Sequence, residues 1–130
     1  MNARLSLVSV LVRDYDEAIA WYGEKLGFKL ERDEPQEAAK RWVVMAPPAG
    51  QTRLLLARAA NPRQAARIGD QTGGRIFLFL ETDGFKRDYD AMKAKGVHFV
   101  REPKDEPYGV VAVFEDICGN LWDLIEHKPS

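Results

Sequence analysis

Two halves of this chain match one another over a short window. Asp14 answers to Asp83, Gly27 to Gly96, Leu30 to Phe99 and Arg32 to Arg101, each pair 69 positions apart. Glu-Pro recurs at 34–35 and 102–103 with a one-residue slip. A repeat this long and present only twice does not build a solenoid, whose units are shorter and more numerous. Each copy reads as a strand, a helix and three further strands. Such a module buries one face of its sheet under the helix and leaves the other free to curve around a ligand. The repeat therefore predicts an α+β chain of two βαβββ modules. The first covers about 5–58, a connector about 59–74 and the second about 75–127.

Leu5 to Val12 is almost unbroken in apolar and β-branched residues, the pattern of a largely buried strand. Asp14 offers an N-cap with Glu17 three residues on, as in a capping box. Tyr15, Ala18, Ile19, Tyr22 and Leu26 form an amphipathic stripe that Gly27 ends. Phe28 to Arg32 predicts a second strand with Phe28 and Leu30 on one face. Asp33-Glu34-Pro35 is expected to close it, because proline has no backbone donor to continue the ladder. Lys40 to Ala46 and Thr52 to Ala57 follow as strands around the turn Pro47-Pro48-Ala49-Gly50. Asn61-Pro62 caps a short helix to Arg67, and Gly69, Gly73 and Gly74 predict a mobile connector. In the second module a strand over Ile76–Glu81 precedes a helix from about Asp83 to Lys95, with Phe85, Tyr89 and Met92 on one side. Val97–Arg101 (ended by Glu102-Pro103), Tyr108–Glu115 and Leu121–Glu126 complete it, the last two joined by a turn at Gly119-Asn120.

The 130 residues fit one domain with a real core, and a net charge of −1 gives no basic field for nucleic acid. No nucleic-acid motif is present, and Gly73-Gly74 lacks the lysine and helix of a phosphate loop. No apolar run approaches the roughly 20 residues of a membrane helix, and the first five residues lack the pattern of a signal peptide. Cys118, the single cysteine, excludes an internal disulfide and fits a cytoplasmic protein. With no histidine nearby in sequence it reads as a turn thiol rather than a nucleophile.

The chain resembles the vicinal-oxygen-chelate superfamily, the glyoxalase, bleomycin-resistance and extradiol-dioxygenase group. Three stretches carry the likeness: Leu7 through Asp14, Ala20-Trp21-Tyr22-Gly23-Glu24-Lys25-Leu26-Gly27-Phe28, and Phe114-Glu115-Asp116 through Gly119-Asn120 to Asp123-Leu124-Ile125-Glu126. The resemblance implies paired βαβββ modules in a U-shaped mixed sheet around a cavity, completed by a homodimer. It also implies a divalent metal held from four strand positions. Carried onto this sequence these are Leu7, Leu54 or Leu55, Phe77 or Arg75, and Asp123. Leucine and phenylalanine have no lone pair for a cation, and arginine brings the wrong charge. One carboxylate does not make a site that needs three or more protein ligands. The expectation is no metal and no other cofactor.

Asp123, between Trp122 and Leu124 in a strand, points to the face opposite theirs. Among apolar neighbours such as Leu7, Phe77 and Leu121 its pKa would rise and it would serve as a catalytic acid or base. Paired with Arg53 or Arg75 it would merely satisfy its charge. Phe77 and Phe79 share its face by parity, while Trp42 and Tyr108 either stack a flat ligand or, like most aromatics, pack in the core. Leu7, Ser9, Trp42, Arg53, Leu55, Arg75, Phe77, Phe79, Tyr108 and Asp123 form the candidate binding set. Arg41, Arg53, Arg58, Arg63, Arg67 and Arg75 either grip a ligand's carboxylate or phosphate or make a solvated face. His98 and His127 read as surface residues.

These residues predict a cytoplasmic protein that binds a small organic molecule in an apolar cavity between the modules, with no nucleic-acid or membrane partner. Sequestration and metal-independent chemistry both remain open. The alternative is a metal-dependent lyase, isomerase or dioxygenase of the glyoxalase type. A third reading is an interaction module whose dimer surface matters more than its pocket.

Overall fold

The computed structural model describes residues 1–129. The chain divides into two compact units, residues 1–68 and Gly69 onward. The connector is shared between them. Its short helix belongs to the first unit and its glycine turns to the second.

The first unit contains β1 (Leu7–Val12), α1 (Tyr15–Leu26), β2 (Lys29–Pro35), a single 3₁₀ turn at Glu37–Ala39, β3 (Arg41–Ala46), β4 (Arg53–Arg58) and α2 (Pro62–Ala65). Its sheet runs β1-β4-β3-β2, with β1 parallel to β4 and the other pairs antiparallel. The second unit contains β5 (Leu78–Glu81), α3 (Phe85–Ala94), β6 (Phe99–Glu106), β7 (Gly109–Glu115) and β8 (Leu121–His127). Its sheet runs β5-β8-β7-β6 with the same pattern of directions. Two modules of βαβββ are thus present, as the repeat predicts.

α1 forms where its stripe and caps require. The Asp14 carboxylate accepts the Glu17 N–H at 2.7 Å, and Gly27 closes the helix at φ 70°. Tyr15, Ala18, Tyr22 and Leu26 are buried on the sheet side. Tyr22 packs edge-on to Trp21 and tilted against Phe28, which ends the helix rather than opening β2. α3 starts at Phe85, two residues after the expected Asp83, whose carboxylate pairs with Arg87 at 2.9 Å. The Phe85 N–H donates to the Glu126 carboxylate of β8 at 2.7 Å, so the sheet itself caps the helix.

The two outer strands treat their prolines differently. β2 ends at Pro35, as expected, but β6 runs past Pro103 to Glu106, where the expectation is an end at Glu102-Pro103. Both strands are sheet edges, where a missing donor can face away from the only neighbour. Pro103 also lies in the register shift between Arg101 and Lys104. β2 is exposed throughout, so Leu30 does not share the burial of Phe28.

The core of the second unit is a line of aromatic rings from α3 into the sheet. Phe85 meets Tyr89, Tyr89 meets Phe99, Phe99 meets Phe114 and Phe114 stacks on Trp122, with centroids 4.5–5.8 Å apart. Gly69 follows the short helix at φ 77°, and a β-carbon there would collide with the Cys118 carbonyl. Close backbone approach thus requires that glycine, beyond the flexibility expected of the connector.

Candidate functional site

In each unit the helix takes one face of the sheet, and register decides which side chains share the other. Residues directly paired across strands project to the same side. In the first unit Ser9 pairs with Leu55, Leu55 with Val44, and Val44 with Arg32, which makes one row on the helix-free face. Leu7 and Arg53 form the next row, and Trp42 joins by alternation with Val44. Leu54 lies on the helix side and is buried, so Leu55 is the fourth-strand residue that faces outward. Five candidates (Leu7, Ser9, Trp42, Arg53 and Leu55) are therefore on one face of one sheet.

In the second unit the matching row is Phe79, Asp123, Val113 and Arg101. Trp122 and Phe114 occupy the opposite face under α3. Phe77 lies just before β5 and its N–H donates to the Leu121 carbonyl at 2.7 Å, keeping it in phase with Phe79. Phe79 is 64% exposed, an unusual state for a phenylalanine. Tyr108 stands apart in the turn between β6 and β7, also exposed. Arg75 precedes β5, beside Thr72, whose hydroxyl donates to the Arg75 carbonyl.

Asp123 is half-buried, and burial pushes its carboxyl above the ordinary aspartate range while the charge of Arg101 pulls it down. Within its unit the cation that acts on it is thus Arg101 rather than Arg75. Arg53 forks onto Glu31, with Nε and Nη2 each 3.0 Å from a carboxylate oxygen. The sequence carried a sign of Arg101 in its repeat partner Arg32, but a bulge in each edge strand hides which way either residue points.

Do these side chains suit a divalent cation? Leu7 and Leu55 in the first unit and Phe77 in the second offer no electron pair, and Asp123 alone cannot enclose a metal. Among the described residues no three His, Cys, Asp or Glu side chains converge. His98 sits 3.0 Å from Glu115, and His127 is 4.0 Å from Glu81. The strand positions therefore do not fit the metal that the resemblance implies.

A second acid, missed in the sequence, organises the β7–β8 turn. Asp116 is buried and accepts the Cys118 and Asn120 N–H groups at 3.0 Å, Asn120 Nδ2 at 3.1 Å and Trp122 Nε1 at 3.2 Å. Fully provided with donors, it holds the turn and the start of β8, which carries Asp123. Arg41 and Arg58 are engaged within the first unit. Arg41 pairs with Asp33 and Asp16 and lies over the Tyr15 ring, and Arg58 lies over the same ring.

Comparison with known proteins follows the same architecture. The family model described as Glyoxalase/Bleomycin resistance protein/Dioxygenase superfamily matches residues 4–124. An uncharacterized protein of Shewanella frigidimarina (strain NCIMB 400) is 54% identical over 128 residues, covering 97% of this chain and 95% of its own. Among solved structures, UcmS2 superposes with a TM-score of 0.83 at 31% identity, covering 96% of this chain and 98% of that one. TnmS3, described as an antibiotic binding protein from Streptomyces sp. CB03234, has a TM-score of 0.78 at 31% identity and 97% coverage of both chains.

Proposed function

The chain belongs to the glyoxalase/bleomycin resistance protein/dioxygenase superfamily, and from that membership we propose that it binds a small, flat organic molecule without a metal ion. The carrying observation is the content of the helix-free faces, where leucines and phenylalanines stand in the strand positions that a metal site would fill with donors. Phe79 offers an exposed ring beside Asp123, its direct cross-strand neighbour, and Trp42 offers a second ring on the first sheet. Flat aromatic molecules suit such rings, which stack on them and exclude water. The likeness to TnmS3, an antibiotic binding protein, supports a sequestering role over turnover.

Asp123 would fix the ligand's orientation. Its carboxyl holds a proton more readily than a free aspartate, so it can donate to a carbonyl when protonated and accept from a hydroxyl when ionised.

The test joins elemental analysis of protein purified without chelator to thermal-shift screening against polycyclic aromatic compounds, quinones and antibiotics included. The expected result is substoichiometric divalent metal and at least one compound that raises the melting temperature. At a hundredfold excess over Kd the stabilisation is about 2.7 kcal/mol. Near-stoichiometric metal, lost together with turnover in Asp123→Ala, would instead support a metal-dependent lyase, isomerase or dioxygenase.

A further inference from the structure

An open notch of about 310 Å³ lies at the leading ends of β1 and β4, lined by Arg4, Leu5, Gln51, Thr52 and Arg53. Two of those five residues are cations and none is an acid. We propose that this notch is a binding site for a small oxyanion, the carboxylate or phosphate of an organic ligand, gripped between Arg4 and Arg53. The site stands on the first module alone and does not require the flat-ligand reading above.

Arg4 makes no ion pair or hydrogen bond among the described residues, so its guanidinium is uncommitted. Arg53 is fixed in place but not used up. Its Nε and Nη2 hold Glu31, and its Nη1 donates to the Gln51 carbonyl. Of a guanidinium's five N–H groups, roughly two are left for an anion.

Gln51, whose carbonyl accepts from Arg53, adopts φ 76°, a left-handed conformation that costs a non-glycine residue about 1 kcal/mol or more. Strain of that kind persists where surrounding structure demands it, and here it braces the cation. Thr52 spends its hydroxyl proton on the Leu5 carbonyl at 3.1 Å, which pins the chain that carries Arg4 against β4. Leu5, 71% exposed, supplies an apolar wall beside the charge. The notch thus fits an anionic group with a small hydrophobic body. Its volume is at the lower end of ligand sites.

The experiment is an amide and arginine-Nε NMR titration of the full chain with benzoate, inorganic phosphate and benzamide, the neutral analogue of benzoate. Benzoate or phosphate should shift the Gln51, Thr52 and Arg53 signals while benzamide does not. Arg4→Ala should weaken that binding about tenfold, as expected for a lost charge-assisted contact. Arg53→Lys keeps the charge without the fork and should weaken it too. A stronger response to benzoate assigns the site to carboxylates, and a stronger one to phosphate assigns it to phosphate esters. Equal shifts with benzamide, no shift with either anion, or unchanged affinity in Arg4→Ala would overturn the proposal.

Discussion

The same cross-strand row occurs in both modules with different chemistry. In the first it reads Ser9, Leu55, Val44 and Arg32, and in the second Phe79, Asp123, Val113 and Arg101. The valine and the arginine are kept. The positions on β1 and β4 differ from those on β5 and β8, a serine replaced by an exposed phenylalanine and a leucine by an acid. In the first module Arg32 turns to Glu34 on its own strand, at 2.7 Å. In the second, Arg101 opposes the desolvation of Asp123. The backbone of a duplicated fold thus fixes where a side chain stands, while the residue placed there decides what that face can bind.

The helix starts differ in the same way. The last residue of β4, Arg58, lies over the ring of Tyr15, the first residue of α1. In the second module Glu126 of β8 accepts the N–H of Phe85, the first residue of α3. One helix is capped by a neighbour in sequence, the other by a residue 41 positions away.

The comparison breaks first at the turns. Asp116→Ala removes the acceptor from the Cys118, Asn120 and Trp122 donors and should cost on the order of 3–5 kcal/mol in urea unfolding. The corresponding turn of the first module closes through the Gly50 N–H and the Pro47 carbonyl at 2.9 Å, so Ala49→Ser should change stability by less than about 0.5 kcal/mol. Equal costs would show that the second turn has no special dependence on its acid.

Next come the caps. Glu126→Ala should cost about 1–2 kcal/mol and speed hydrogen exchange at the start of α3. Asp14→Ala should cost about 1 kcal/mol and act only on α1. A loss of protection in both helices from either variant would sink the distinction between a tertiary and a local cap.

The smallest effect concerns Asp123. Its folded pKa is raised, so the native state holds the proton to higher pH than the unfolded chain does. Stability from this group therefore falls as pH climbs through the window just above the unfolded aspartate value, and the deficit persists at neutral pH. Asp123→Asn should remove that decline, so the variant gains on the parent between pH 3 and pH 7. Asp33 and Asp88, held low by Arg41 and Arg87, contribute stability that is lost as pH falls, equally in both proteins. A constant difference between variant and parent across that range would show that burial does not perturb Asp123.

Much of this was legible in the residues. The repeat, the stripe from Tyr15 to Leu26, the Asp14 cap and the Gly27 and Gly96 ends are local patterns set by backbone geometry and side-chain period, and they give the βαβββ order without a coordinate. Strand parity likewise puts Phe79 and Asp123 on one side. Pro103 misled because a proline breaks a strand only where both flanks are paired, and edge position is a property of the sheet. The start of the second helix at Phe85 was not legible because the residue that meets its free N–H, Glu126, comes from β8. Arg101 and the notch around Arg53 required the tertiary structure, since each depends on groups far apart in sequence being brought within a few ångströms, whereas the partners of Asp116 lie within six residues and its role turns on how the chain bends there. Periodicity is written along the chain. Charge partnership is decided across it, where the energy of an acid or an arginine depends on which neighbours folding supplies and how much water it removes.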